Sequence, residues 1–275
     1  MKKMTKMLSV ILTVAMMAAM LVACGSSDSK KSDEKTESTD SKDTIKFGTN
    51  AEFPPFEYVT QEGVIGEFDG IDIAIAKGIA EENGMEAKVE NMEFDSLIVA
   101  LQNGQVDAVI AGMTVTDERA EAVDFSTPYY TATQVMVVKD GSDIKSKNDL
   151  VGKNVGVQKG SSAVDAINAD EIHNQFASNP TYETNVLAFT DLEIGRVDAV
   201  VVDEIVARYY LAQNPDKKFK VLDDSFGTEQ YGIAAKKGNT ELINKLQTAL
   251  NELSADGTAA EISNKWFGED IVVNN

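Results

Sequence analysis

Two charged side chains stand at matching places in a repeated piece of this chain. Residues 101–109, LQNGQVDAV, are answered at 192–200 by LEIGRVDAV, 91 residues further on. Each copy reads as a helix end, a turn glycine and a buried strand. The first strand runs out into 112–119, GMTVTDER, which offers the backbone of Gly112, the amide and hydroxyl of Thr114 and the guanidinium of Arg119. The second runs out into Asp203. Ligands of open α/β sheets sit beyond the carboxyl ends of the strands. A cation at one exit and a carboxylate at the other therefore suit a zwitterion, with its carboxylate on Arg119 and its ammonium on Asp203. Taken singly, Arg119 reads as a helix-end surface residue and Asp203 as a helix cap; the repeat is what joins them.

Other chemistry is thinly supplied. The chain has one cysteine and one histidine, and His173 lies in a polar stretch, 170–180, as an exposed helix residue. No metal-ligand cluster, phosphate-cradling glycine loop or nucleophile triad is legible, so no catalytic residue, metal or cofactor is expected. A net charge of −20 argues against a nucleic-acid backbone as partner.

The elements that must position these residues alternate. Strand-like runs fall at 44–49, 88–91, 106–111, 131–138, 154–157, 197–202, 218–222 and 232–235. Helical spacing marks 71–82, 94–103, 203–213 and 240–254, the last capped by Thr240. Strand and helix in alternation predict an α/β architecture with mainly parallel sheets. Ile65, Phe68, Val89, Leu97, Val109, Ile110, Val201 and Leu246 read as core.

The first 42 residues are of another kind. Lys2, Lys3 and Lys6 precede an apolar run to Ala23, the order of a secretory signal peptide rather than a spanning helix. The run ends in LVAC, which resembles the lipobox of bacterial lipoproteins, cut before Cys24 and lipidated (palmitate among the acyl chains) on its thiol. As the single cysteine, Cys24 has no disulfide partner. Residues 25–42 are nearly all Ser, Lys, Asp, Glu and Thr; such a segment stays disordered, a tether with a reach of roughly 25 Å. Loss of the leader with its three lysines leaves 22 basic against 45 acidic residues. The body, 43–275, is long enough for two lobes.

Further pieces carry a resemblance across residues 44–270. AEFPPFE at 51–57, GIDIAIAK at 70–77, ALQNGQVDAV at 100–109, TDER at 116–119, DFSTPYY at 124–130, VGVQKGS at 155–161 and KWFG at 265–268 come in the order and spacing of the family 3 solute-binding proteins, the polar amino-acid receptors of ABC importers. Ile71 and Ala74 replace a usual Phe and Asp. The resemblance implies a two-lobed, type II periplasmic-binding-protein-like fold, each lobe a mainly parallel sheet flanked by helices. It also implies roles at matching positions. Arg119 would hold the ligand α-carboxylate, with the Gly112 carbonyl and the Thr114 amide and hydroxyl on the amino and carboxylate groups. Asp203 would pair with the ammonium, and Ser161 and Ser162 would close over the carboxylate. Phe53 and Phe94 would sandwich the side chain. Asn50 and Gln158 would tune specificity; Asn50 is neutral where several relatives carry aspartate, which favours a neutral polar amino acid.

The expectation is thus a lipid-anchored binding protein on the outer face of the cell membrane. It would be a monomer, working with the permease and ATPase subunits of an ABC importer and closing by hinge motion. Its segments would be a signal peptide at 1–23, a lipidated tether at 24–42, one lobe of 43–137 with 231–275, and a second of 138–230. An enzyme on the same scaffold, like cyclohexadienyl dehydratase, and a sensory ligand-binding module are the alternatives.

Overall fold

Glycine decides where the first long helix starts. Gly70 has φ 127°, and a Cβ there would lie 2.1 Å from the Phe56 carbonyl oxygen, so no other residue fits. The helix that follows, α1, places Ile71, Ile75 and Ile79 on one fully buried face. Each such side chain contributes at most about 1.5–3 kcal/mol through its burial.

The computed structural model describes residues 43–60 and 67–267. The expected signal, Cys24 and its tether, Ile65 and the end of the 265–268 motif lie outside the described residues. In chain order the elements begin β1 (Thr44–Thr49), β2 (Glu52–Phe53), β3 (Glu57–Val59), β4 (Phe68–Asp69), α1 (Ile71–Glu82), β5 (Glu86–Asn91), α2 (Leu97–Gln102), β6 (Ala108–Val109), α3 (Asp117–Ala122) and β7 (Val123–Phe125). They continue β8 (Tyr130–Lys139), β9 (Val155–Gln158), α4 (Ser162–Ala169), β10 (Thr181–Tyr182), α5 (Asn185–Ile194), β11 (Ala199–Asp203) and α6 (Glu204–Gln213). The last are β12 (Phe219–Tyr231), β13 (Ala234–Lys236), α7 (Thr240–Ala255) and α8 (Thr258–Phe267).

Two five-stranded sheets result, in the orders β5-β1-β6-β13-β7 and β10-β9-β11-β8-β12, with β2, β3 and β4 as a small third sheet. The expected α/β, two-lobed architecture is present, and both large sheets are mixed. In each, four strands point one way and one runs against them, β13 in the first sheet and β8 in the second. Strands β8 and β12 pair from Tyr130↔Tyr231 onwards, while β11 joins β8 only from Gln134. Residues 130–133 and 228–231 therefore form a two-stranded ribbon between the sheets.

Aromatic side chains pack at one end of that ribbon. Phe56 meets Tyr130 and Tyr231 edge-on at 5.0 and 5.3 Å, the arrangement that ring quadrupoles favour. In the second sheet Met136, Val138, Val155, Val157 and Val201 form a core with Ile167 of α4. Leu97, Leu101 and Val109 belong to a separate cluster under α2.

Several sequence expectations need adjusting. The helix expected at 94–103 opens as a 3-10 turn, Phe94–Ser96, before α2. Asn239, not Thr240, caps α7, its side chain accepting from the Leu242 amide. Phe68 and Val89 are half-buried rather than core, because their sheets leave one face partly open. His173 sits half-buried in a 3-10 turn, edge-on to Phe176 at 5.8 Å. Among the described residues, no helix is long and apolar enough to cross a membrane.

Candidate functional site

Both halves of the sequence repeat deliver their charged residue to one place. The helix ends turn through Gly104 (φ 71°) and Gly195 (φ 79°) into β6 and β11. Beyond β6 the chain passes through Gly112, whose amide donates to Asp72 Oδ2 at 2.7 Å. Gly112 has φ 53°, and a Cβ would meet Phe53 Cε1 at 2.7 Å, so only glycine lets the backbone lie against that ring. β11 ends at Asp203, 7% exposed; its side chain makes no cap bond to α6, so the reading as an ordinary helix cap does not hold.

A narrow cavity opens between these ends. Of the ten side chains singled out in the sequence, it is lined by Asn50, Phe53, Phe94, Gly112, Gln158, Ser161, Ser162 and Asp203. Thr114 and Arg119 stand just behind that lining. The Thr116 hydroxyl caps α3 by accepting from the Arg119 amide. The Arg119 guanidinium lies 5.4 Å from the Phe94 ring centroid and donates to the carbonyls of Thr114 (2.8 Å) and Gly160 (2.9 Å). These two bonds use two of its five N–H groups, one on each terminal nitrogen. Burial lowers its pKa, opposed by Glu229 and more weakly by other acids.

The opposite end of the cavity is built of amides. Gln158 donates to Asn50 Oδ1 at 3.0 Å and to the Glu183 carbonyl at 3.1 Å, and it accepts from Asn185 Nδ2 at 3.1 Å. Asn50 in turn donates to the Met92 carbonyl. Asp203 is the one ionisable side chain in the lining. Burial first, then the Glu229 carboxylate, pushes Asp203 up to about 8, against hydrogen bonding that favours its charged form.

Several ties cross between the first-sheet side and the second. Besides Arg119 to Gly160 and Gln158 to Asn50, the Thr114 and Ser162 hydroxyls lie 3.0 Å apart, and Lys159 pairs with Asp95 at 2.9 Å. Ser162 and Ala163 open α4 toward the cavity. The first turn of a helix presents unpaired N–H groups and a positive dipole end, which favour an anion. The lining therefore offers N–H donors at the start of α4 and an acceptor at Asp203, the two kinds of group that a zwitterion needs.

Behind Gly112 lies a second acidic pair. Asp72 accepts from the Gly112 amide and from Tyr129 Oη (2.8 and 2.9 Å), while Glu57 is fully buried beside it. Burial, reinforced by Asp72, raises Glu57 well above the ordinary carboxylate range; burial pushes Asp72 up to about 6. Burial thus favours the uncharged form of Glu57, and Asp72 orients the Gly112 peptide.

Sequence reasoning missed Asn185, Gln134 and Glu229. Asn185 follows Thr184, the α5 cap, and that polar-then-apolar pattern was its only signal. Gln134 and Glu229 sit on the two strands of the ribbon, in register positions that a sequence does not reveal.

The model of the bacterial extracellular solute-binding proteins, family 3, matches residues 45–269. The arginine-binding extracellular protein ArtP of Bacillus subtilis is 35% identical over 246 residues, 89% of this chain and 91% of that protein. An ancestral arginine-binding protein bound to glutamine superposes with a TM-score of 0.77 at 45% identity, over 82% of this chain and 98% of that one. The ancestral amino acid-binding protein AncCDT-1, a precursor of cyclohexadienyl dehydratase, superposes with a TM-score of 0.74 at 37% identity, over 82% and 95%.

Proposed function

Because the chain belongs to the bacterial extracellular solute-binding proteins of family 3, we propose that it captures a polar amino acid with an uncharged side chain for an ABC importer. The observation that carries the choice of solute is the uncharged far end of the cavity, where Asn50, Gln158 and Asn185 form a chain of amides. A side-chain amide such as that of glutamine can both donate to and accept from such a chain. A guanidinium there would be buried without a counter-charge, which costs several kcal/mol. The relatives support the amino-acid class, one structure being an arginine-binding protein that holds glutamine.

In this reading Arg119, the Thr114 amide and the first turn of α4 at Ser161 and Ser162 take the α-carboxylate. Asp203 and the Gly112 carbonyl take the ammonium, and Phe53 and Phe94 flank the side chain. The lobes divide into 43–137 with 231–275 and 138–230, cuts that fall within β8 and β12. Their bending opens and closes the cleft, and the ligand favours closure because only the closed form completes both ends. The leader is removed before Cys24, whose lipidated thiol anchors a monomer to the outer face of the membrane, within reach of the permease. Cys24→Ala is expected to release the protein from the membrane fraction.

Isothermal titration with L-glutamine, L-arginine and L-histidine tests the solute. Tight binding of glutamine with weak arginine binding supports the reading; the reverse order overturns the neutral side chain but not the class. A second reading, an enzyme on this scaffold, has one observation in its favour. Asp203, pushed up to about 8 in an enclosed cavity, has the protonation state of a general acid. Recovery of a cyclohexadienyl acid chemically unchanged after incubation with the protein removes that reading.

A further inference from the structure

Glu229 lies on the ribbon strand β12, outside the cavity lining, yet its Oε1 collects three donors from three parts of the fold. Thr114 Oγ1, beyond β6, donates to it at 2.6 Å. Ser162 Oγ, at the start of α4, donates at 2.7 Å. Gln134 Nε2, on the paired strand β8, donates at 2.9 Å. Both hydroxyl contacts are short.

A hydroxyl has one proton and two lone pairs. The two hydroxyls also lie 3.0 Å from each other; when both give their proton to Glu229, that contact is acceptor to acceptor, and their oxygens have only acceptor capacity left to offer the cleft. Gln134 Nε2 has two protons; one goes to Glu229 and the other to Asp203 Oδ1 at 3.1 Å. One amide thus holds two carboxylates as neighbours. Arg119 donates to backbone carbonyls rather than to either of them. The cluster of Asp203, Glu229 and two hydroxyl oxygens is therefore rich in acceptors and negative, and an ammonium, with three donors and a positive charge, complements it.

We propose that Glu229 is a positioning and specificity residue that fixes the Thr114 and Ser162 hydroxyls as acceptors and so restricts the cleft to solutes bearing an amine. This rests on the amino-acid reading above and deepens it. The α-carboxylate is then bound by Arg119 and by backbone amides, and the two hydroxyls serve the other pole. A glutamine at 229 keeps the shape while losing the charge, and its amide can return a proton to either hydroxyl, which frees that hydroxyl to donate into the cleft. Glu229 is only half-buried, so this exchange is mild for the fold.

The test compares an amino acid with its deaminated analogue on wild-type protein and Glu229→Gln. Affinities are measured by calorimetric competition for L-glutamine against 4-carbamoylbutanoate and for L-arginine against 5-guanidinopentanoate. In the variant the amino acid should weaken by roughly 10- to 100-fold, the size of one charge-assisted contact, while the analogue changes less than about threefold. The preference for the amine thereby narrows at least tenfold, with the thermal midpoint of the ligand-free protein little moved. A parallel loss for both ligands would make Glu229 a tie between the lobes and overturn the inference, as would no change in either. Failure of the wild-type protein to bind either amino acid would sink the amino-acid reading and this inference with it. Wild-type binding with an unchanged preference in the variant sinks this inference alone.

Discussion

Below pH 8, binding of an amino acid should release protons, because Asp203 must ionise to meet the ammonium. In the closed cleft without ligand, burial and then Glu229 hold its carboxyl up at about 8. An opposite charge within bonding distance lowers a carboxyl by roughly 1–3 units, which places the bound form at roughly 5–7. At pH 7 the free protein is then roughly nine-tenths protonated at Asp203, and binding releases roughly 0.4 to 0.9 of a proton. The release fades above pH 9, where the free form has already lost the proton, and below pH 5, where the complex keeps it. Affinity accordingly rises between pH 6 and 8.5, by at most about 1.4–4 kcal/mol in all. The folded protein without ligand behaves in the opposite sense. Its raised carboxyl favours the native state most below pH 4, and that contribution is lost as pH rises through 8. Calorimetry in phosphate and in Tris at pH 7 reads the released protons directly, from the dependence of the observed heat on the ionisation heat of the buffer. Identical heats in the two buffers, together with a flat affinity from pH 6 to 8.5, would refute the argument. Asp203→Asn should abolish the dependence along with most of the binding.

Arg119→Ala should weaken amino-acid binding by about 2–5 kcal/mol with the fold retained, and Arg119→Lys should recover little of it, because a lysine has no planar fork; titration calorimetry reads both. Gly160→Ala tests closure. With φ 70°, an added Cβ would lie 2.8 Å from Asp95 Cβ on the opposing lobe. Left-handed strain of about 1–2 kcal/mol acts in any state, but the clash exists only in the closed one. Affinity should therefore fall more than the thermal midpoint, and small-angle scattering should show a smaller ligand-induced contraction. Glu57→Gln should raise the midpoint by a few degrees at pH 8 and change nothing below pH 4.5. The wild-type carboxyl, raised by burial, gives its full stability only below its unfolded value and loses it as pH climbs.

Local patterning made much of this molecule legible. Strand 44–49 and helix 71–82 were bounded by the sequence because alternation, isoleucine spacing and Gly70 all agree there. The repeat around Gly104 and Gly195 led to Gly112 and Asp203, which line one cavity, since the same helix-turn-strand unit supports each. The resemblance brought eight of ten site residues to the lining. What escaped notice depends on pairing across distance. The run Gly227–Gln230 reads as a polar turn, yet it lies in β12, where register shifts on either side of Ser225 allow polar residues to face the cleft. Helix α4 was missed because SAVDAINA is short and rich in small residues, so tertiary packing of Ala163 and Ile167 decides its state. Asn185 became visible only once Gln158 had been placed beside it.

The order of strands also dictates an order of events during folding. In the first sheet β13 is inserted between β6 and β7, pairing Ala234 with Val109 on one side and with Phe125 on the other. Every strand of the second sheet is contained in 130–231. A chain made from its N-terminus can therefore complete the second sheet while the first still lacks the strand that joins β7 to the rest. Closing that last gap spans more than a hundred residues, which makes it the slow, entropy-limited step. Until it closes, the hydrophobic face of β6 and α2 stays uncovered. A chain cut short before residue 234 would be left with one finished half and one sticky, unfinished half.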